Sequence, residues 1–179
     1  CIRDRANPIG RAAAESFVET ENPGAQCAPH PLPQRLGHPH VDDIEVFEDR
    51  VVITAESSDD PRIVYLDGRA FPADAEPAER GHTGGYWDGN VLVVETTHFA
   101  DHRKGNGAAI PSGPQKRLTE RYALTADGTQ IRVDYVLEDP DYLSEPVVDQ
   151  AVWRYAPHME LNPYSCDNEV AGRYLRGEE

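Results

Sequence analysis

The stretch that decides the fold is residues 116–139, which read KRLTERYALT-ADGT-QIRVDYVLED. Two runs that contain β-branched and aromatic residues flank a short turn with an Asp-Gly pair, a pattern typical of a β-hairpin. Apolar and polar side chains alternate along both runs, as they do in strands that bury one face. The stretch therefore predicts two antiparallel strands, at 116–125 and 130–139.

Short β-rich runs separated by turn residues continue along the chain before and after this hairpin. Asp88-Gly89-Asn90 lies between two such runs and gives a second hairpin signal. The predicted strands are 43–47, 50–55, 62–66, 85–87, 91–99, 116–125, 130–139 and 147–155. About eight antiparallel strands in meander order are too many for one flat sheet, and no helix long enough to cover a sheet lies between them. We therefore predict an all-β fold, a single closed lipocalin-like β-barrel, because closure removes the exposed strand edges.

The first 41 residues differ from the predicted barrel domain, which spans residues 42–179. A short helix is predicted around residues 10–19, where apolar side chains recur at helical spacing. The prolines of residues 25–41 predict an extended arm against the surface. Residues 100–115 are rich in glycine and proline, and they predict a long mobile loop at the mouth of the barrel.

The charge of the chain limits its partners. The 179 residues include 32 Asp and Glu against 17 Lys and Arg, which gives a net charge of −15. This balance argues against binding to nucleic acid or to anionic membranes, because both attract basic surfaces. No stretch approaches the ~18–20 apolar residues of a membrane-spanning helix. We therefore expect a small-molecule partner, and self-association into a homodimer is a further expectation.

Glu120 is the first candidate functional residue. Leu118, Glu120, Tyr122 and Leu124 share one face of their strand. Since the apolar members must face the core, Glu120 points inward, where a carboxylate is costly unless it is paired. It is either a structural partner of an inward arginine or tyrosine, or a general acid or base whose pKa is raised by burial. Asp139 ends the matching row of the next strand, and we place it at the rim.

His82 is the second candidate, within the glycine-rich segment GHTGG at residues 81–85. Glycines permit close backbone approach, and they would hold the imidazole at a strand end beside open space. His82 and Glu120 are predicted to share acid–base work, with Asp139 orienting or charging one of them. The side chains predicted to bind the substrate are Tyr65, Trp87, His98, Tyr122, Tyr135 and Trp153. No cofactor is predicted, since GxGxxG and P-loop patterns are absent from the sequence.

Histidines and cysteines raise two further hypotheses. His38-Pro39-His40 followed by Glu45 has the HxHx4E spacing of cupin metal ligands, which supports a weaker hypothesis of a cupin-like metalloenzyme. Val52 replaces the glycine that cupins carry seven residues later, and no second half-motif is recognisable. Cys27 and Cys166 are either a disulfide closing a long loop, worth roughly 3–5 kcal/mol, or two buried free thiols.

Several short motifs occur in the same order along this chain as in a known protein family. Residues 62–69, RIVYLDGR, with Pro72, are similar to R-x-I-Y-x-D-G-R-x-x-P, and residues 81–96, GHTGGYWDGNVLVVET, to G-H-S-x-G-x-W-E-G-D-x-L-V-V-D-T. Further matches are Glu120-Arg121-Tyr122, Asp139-Pro140 and Tyr164-Ser165-Cys166-Asp167. Over roughly residues 20–170 the chain resembles a large family of bacterial proteins, most of them exported. The resemblance implies a periplasmic or secreted location and points to His82, Trp87, Glu120, Asp139 and Cys166, but it does not supply a reaction.

Two functions from different classes are consistent with this sequence. The first is a cofactor-independent acid–base enzyme, a lyase or isomerase, acting on a small, partly apolar or aromatic hydroxylated molecule inside the barrel. The alternative is a non-catalytic, lipocalin-like binding protein for a small apolar ligand. In the enzyme, Glu120→Gln abolishes turnover, whereas in the binding protein it changes only the affinity.

Overall fold

Ten strands dominate the computed structural model, which describes residues 2–56, 60–69, 71–72, 74–162 and 165–176. The main sheet contains β1 (Asp42–Val46), β2 (Arg50–Ala55), β3 (Arg62–Tyr65), β4 (His82–Asp88), β5 (Val91–Thr97), β8 (Arg117–Leu124), β9 (Gln130–Glu138) and β10 (Val147–Arg154). A separate hairpin consists of β6 (His102–Gly107) and β7 (Ile110–Ser112). The helices are α1 (Ile2–Arg5), α2 (Pro8–Glu15) and α3 (Asn168–Ala171), with 3₁₀ turns at Glu19–Glu21, Pro23–Gln26, Gln34–Gly37 and Arg173–Arg176.

The eight strands of the main sheet follow the order β1-β2-β3-β4-β5-β8-β9-β10. This confirms a mostly β chain with about eight strands in its main sheet, whereas the predicted meander order is interrupted by the β6–β7 hairpin between β5 and β8. The two hairpins on which the prediction depends, β4–β5 and β8–β9, are both present. One pairing is not antiparallel as predicted: β3 and β4 run parallel and meet at Tyr65 and Gly84, because the chain between them crosses back before β4 begins.

The sheet curls into a half-barrel that does not close, so the prediction of a closed barrel is wrong. Within the described ranges, no pairing joins β1 to β10, the two ends of the strand order. The 3₁₀ turn Gln34–Gly37 of the N-terminal arm bridges these two strands instead. Trp153 of β10 donates from Nε1 to the carbonyl oxygen of Leu36 at 2.8 Å, and Arg35 forms an ion pair with Asp42 of β1.

Two other expectations about irregular segments are also wrong. The proline-rich arm is not extended coil on the surface, because Leu32 and Leu36 are buried members of the hydrophobic core. Residues 100–115 are not a mobile loop, since they form the β6–β7 hairpin and bury Asn106 and Ile110. Both segments cover the half-barrel, but the sequence did not predict this because their side chains do not alternate as those of a strand with one buried face do.

The core lies on the concave face of the sheet. Its strand members include Val51, Ile53, Val64, Leu92, Val94, Leu118, Tyr122, Val133 and Leu137. The registers put these residues opposite one another on neighbouring strands, for example Val51 with Val64 and Leu118 with Leu137. This inner face is therefore continuous from β2 to β9, and alternation assigns every other strand residue to the outer face.

A disulfide joins Cys27 of the arm to Cys166, with a Cα–Cα distance of 5.6 Å and a sequence separation of 139 residues. It ties the arm to the segment that follows β10. In the entropic model, a crosslink closing a loop this long stabilises the folded chain by about 5 kcal/mol at most. Among the described residues, we find no helix with the length and apolar character needed to cross a bilayer.

Candidate functional site

The middle of the inner face holds a buried polar cluster, here called the polar centre: Arg62, Thr96, Glu120 and Tyr122. Glu120 points inward and is fully buried, as the alternation predicts. Arg62 donates to both carboxylate oxygens, at 2.9 Å from Nη1 to Oε1 and through Nη2 to Oε2. The Tyr122 hydroxyl donates to Oε1 at 2.8 Å. This is the arrangement of the structural interpretation, in which an inward arginine and tyrosine satisfy the carboxylate.

Two members of the polar centre, Arg62 and Tyr122, have pKa values shifted by their surroundings. Burial opposes the charge of Arg62, but Glu120 and Tyr122 outweigh it and hold the pKa of the guanidinium above its ordinary value. Burial and the neighbouring Glu120 raise the pKa of the Tyr122 hydroxyl well above its ordinary value. Arg62 therefore remains a cation and Tyr122 a neutral donor over the whole physiological range.

His82 lies on the opposite face of the sheet from Glu120. The register pairs His82 with Thr97 on β5, whereas Glu120 pairs with Val94 of the same strand. Since successive side chains alternate, Thr97 and Val94 point to opposite faces. The His82 ring contacts Phe71 and His98 there, and its Nε2 lies 2.8 Å from the carbonyl oxygen of Glu76. The structure does not bring the predicted acid–base pair together.

Asp139 occupies a third place, beneath the β6–β7 hairpin rather than at the rim. It is buried and accepts hydrogen bonds from Asn106 Nδ2 at 2.6 Å and from the backbone N–H of Gly113 at 3.0 Å. Burial raises the pKa of this carboxyl group. Asp139 therefore anchors the hairpin to the end of β9, and its hydrogen-bond partners do not include Glu120 or His82.

The six predicted substrate-binding residues do not form one site either. Trp87 and Tyr122 line a cavity, and Trp153 contacts the Tyr122 ring edge-on, with centroids 5.6 Å apart. Tyr135 is half-buried on the inner face opposite Glu120. Tyr65 and His98 lie outside the cavity: the Arg69 guanidinium covers the Tyr65 ring at 3.8 Å, and the His98 ring contacts His82.

The cavity opens at one end of the half-barrel and has a volume of about 780 Å³. It is lined by Ile44, Val46, Val51, Ile53, Trp87, Gly89, Asn90, Leu92, Tyr122, Leu124, Thr125, Ala126 and Ile131. We call this the open end. Three of its apolar side chains are strongly exposed to water: Val46 at 62%, Leu124 at 63% and Trp87 at 48%. Tyr122 connects the cavity to the polar centre, because its ring lines the cavity while its hydroxyl binds Glu120.

The opposite end is filled, and Lys116 is the residue there that sequence reasoning missed. We call this the closed end, formed by the arm, the β6–β7 hairpin, Lys116 and Asp139. The buried Lys116 ammonium donates to the carbonyl oxygens of Leu32 at 2.6 Å and Gly105 at 2.7 Å. Burial lowers the pKa of Lys116 to about 7. The signal was available, because Lys116 lies two residues before Leu118 and so shares its inward face.

The histidines of the arm form a group that differs from the predicted cupin set. His30, His38 and His40 each offer a ring nitrogen, and these nitrogens all lie within 4.8 Å of one another. Glu45 is exposed on β1 and is not part of the group. The structure thus groups His38 and His40 with His30 rather than with Glu45, and metal binding by either set stays a hypothesis.

Comparisons of the chain with protein-family models, curated proteins and solved structures found no match. The motif resemblance described above therefore stays a prediction. The function has to be inferred from the geometry of the inner face and its two ends.

Proposed function

We propose that this protein binds a small, predominantly apolar molecule in the open end of the half-barrel. One observation carries the proposal: a cavity of about 780 Å³ on the concave face, lined mainly by aliphatic and aromatic side chains. Ligand sites for small molecules typically measure ≈ 300–1,000 Å³ and combine such a lining with a few polar groups.

The exposure of the lining supports this interpretation. Val46, Trp87 and Leu124 leave large parts of their side chains in water although they lie beside a buried core. Covering apolar surface is favourable by roughly 25 cal/mol per Å², so an apolar ligand in the cavity would gain free energy from these residues. Polar side chains at the lining are few, and they include Asn90 and Thr125.

The charge of the chain narrows the class of ligand. The net charge of −15 over the whole chain disfavours the approach of an anionic ligand, and no charged side chain among the described residues lines the cavity to offset it. The Tyr122 hydroxyl is already bound to Glu120, so it does not recruit a charged group. A neutral molecule of lipocalin-ligand type fits this environment best.

Acid–base catalysis in the same cavity has less geometric support than binding. His82 lies on the outer face, and Arg62 and Tyr122 donate hydrogen bonds to both carboxylate oxygens of Glu120. Glu120→Gln separates the two proposals: under the binding proposal it changes stability and affinity but no chemical conversion of a bound ligand depends on it. An extracytoplasmic location is part of our proposal, supported weakly by the Cys27–Cys166 disulfide, since disulfides persist in oxidising compartments.

Trp87 and Tyr86 provide a matched pair of variants for the test. They are adjacent on β4, both are exposed, and alternation puts Trp87 in the cavity and Tyr86 on the other face. We expect the neutral fluorescent probe N-phenyl-1-naphthylamine to bind the full chain with one site. Trp87→Ala should weaken binding about tenfold or more, equivalent to about 1.4 kcal/mol, and Tyr86→Ala should change it less than twofold.

Three results would reject this proposal. The first is no saturable binding of the probe or of other neutral apolar molecules of similar size. The second is an equal loss of affinity in Trp87→Ala and Tyr86→Ala, which would indicate nonspecific adsorption to the surface. The third is probe binding that survives Trp87→Ala unchanged, because the probe would then lie elsewhere.

A further inference from the structure

The three histidines of the arm converge from separate turns of the chain. His30 follows the 3₁₀ turn Pro23–Gln26, His38 ends the turn Gln34–Gly37, and His40 lies two residues before β1. The His30 and His38 rings are stacked with centroids 3.8 Å apart, and the His38 and His40 centroids are 5.5 Å apart. Three imidazoles therefore share one small volume at the closed-end side of β1.

The backbone that carries these rings is restrained. Proline occupies positions 29, 31, 33 and 39, which fixes the φ angle at or beside each histidine. The arm is anchored just before His30 by the Cys27–Cys166 disulfide. Between His30 and His38 it is anchored by the buried side chains of Leu32 and Leu36. Preorganisation of this kind lowers the entropic cost of assembling a multidentate site.

The chemistry of the cluster fits a divalent transition metal. Neutral imidazole nitrogens are preferred ligands of Zn²⁺, Cu²⁺ and Ni²⁺. In a tetrahedral zinc site with Zn–N bonds of ≈ 2.0–2.1 Å, ligand nitrogens are about 3.4 Å apart. The ring nitrogens of the cluster already lie within 4.8 Å of one another, and the rings must rotate out of their stack to direct them at one ion.

Acidic groups flank the cluster on one side. A carboxylate oxygen of Glu56 lies 3.6 Å from Nδ1 of His40, and the Asp42 carboxylate is close enough to interact electrostatically with both. A carboxylate behind a histidine orients the ring and strengthens it as a ligand. The nearby cations are engaged elsewhere: Arg35 pairs with Asp42, and Lys104 donates to Asn22 at 3.3 Å.

We propose that His30, His38 and His40 form a mononuclear binding site for Zn²⁺ or a similar divalent transition metal. Three protein ligands leave a fourth coordination position for water or an exogenous ligand, the ligand number found in open rather than closed zinc sites. Glu56 is a positioning residue, acting on the metal through His40. The site is separate from the open end, because β1 runs from Asp42 beside the cluster to Val46 in the cavity.

The test is calorimetric titration of ZnCl₂ into the full, oxidised, tag-free chain after treatment with a chelator. We expect one Zn²⁺ per chain. His38→Ala and His40→Ala should each weaken binding by about 100-fold or more, beyond the 10–100-fold typical of an outer-shell change, and Glu56→Gln should fall within that range. His158 is an exposed histidine outside the cluster, so His158→Ala should stay within twofold of the wild type.

Co²⁺ provides a second readout that does not depend on affinity. The wild-type chain should give the intense visible bands of a four-coordinate Co²⁺ site, and His38→Ala should lose them while its far-ultraviolet circular dichroism is unchanged. The proposal is overturned if Zn²⁺ does not bind at one equivalent, or if His38→Ala and His40→Ala bind it like the wild type. It is equally overturned if His158→Ala causes the same loss. Probe binding at the open end should be unaffected by His38→Ala, so failure of one proposal is distinguishable from failure of the other.

Discussion

The two ends of the half-barrel are built from the same strands but finished in opposite ways. At the closed end, the arm buries Leu32, at 5% exposure, and the carbonyl oxygens of Leu32 and Gly105 accept hydrogen bonds from the buried Lys116. At the open end, nothing described covers Leu124, which is 63% exposed. The difference therefore lies outside the strands: irregular segments of the chain fill the closed end, and none of the described residues fills the open end.

The closed end stabilises the fold, and the open end offers a surface for binding. Residues that are buried and satisfied contribute to the folded state, whereas apolar residues that stay exposed beside a cavity reduce solubility and have no stabilising role of their own. The closed end is therefore expected to respond to substitution with a loss of stability, and the open end with a loss of binding. The polar centre lies between the two and should respond most strongly.

The largest expected effect is at the polar centre, the boundary between the two ends. Arg62→Met removes the cation that compensates Glu120, and an uncompensated buried charge typically costs 3–5 kcal/mol. The double variant Arg62→Met, Glu120→Leu should recover most of that loss, because both charges are then absent. Urea unfolding measures both free energies, and a single variant that costs less than about 1 kcal/mol would show that the pair does not stabilise the boundary.

The next effect compares one leucine from each end. Leu32→Ala should lower the free energy of unfolding by about 2–5 kcal/mol, since it leaves a cavity among buried side chains. Leu124→Ala should change it by less than about 0.5 kcal/mol, as is usual for exposed positions. Chemical denaturation of the two variants measures this contrast, and equal losses would break the distinction between the ends.

The smallest effect, taken per pH unit, is a pH dependence of stability that originates at the closed end. The pKa of Lys116 is about 7 in the folded chain against an ordinary value of 10.5, so above pH 7 the unfolded chain holds a proton that the folded chain releases. Stability should therefore rise with pH from about 7 to about 10, by at most about 1.4 kcal/mol per pH unit from this group. Unfolding at pH 7, 8 and 9 should show the rise in the wild type and a flatter profile in Lys116→Met; the same slope in both would exclude Lys116 as its source.

The hairpins could be read from the sequence because their determinants are local. Turn residues such as Gly89 and Gly128 adopt left-handed backbone angles, and strict alternation fixed the inward direction of Glu120 and Tyr122. The failure of closure was not local. It depends on whether β1 and β10 meet, and Leu32 and Leu36, which fill the gap, lie in a segment without strand periodicity.

Part of the candidate site could be predicted from the alternation of side chains along β4. His82 and Trp87 are five residues apart on one strand, so regular alternation cannot direct both into the same cavity. Trp87 is the one that faces inward, which sends His82 outward. The histidine cluster was hidden for a different reason, because irregular turns rather than a strand spacing bring His30 to His38.

An unclosed sheet keeps two edge strands, β1 and β10, which the turn Gln34–Gly37 bridges only in part, and their uncovered lengths bear on self-association. A bare strand edge is a template onto which a second copy can add its own strand. The β1 edge carries the exposed Asp43 and Glu45, and β10 carries the exposed Asp149. Joining two copies edge to edge would bring like charges close together, so the acidic side chains oppose aggregation by repulsion. Salt would weaken this repulsion by screening the charges.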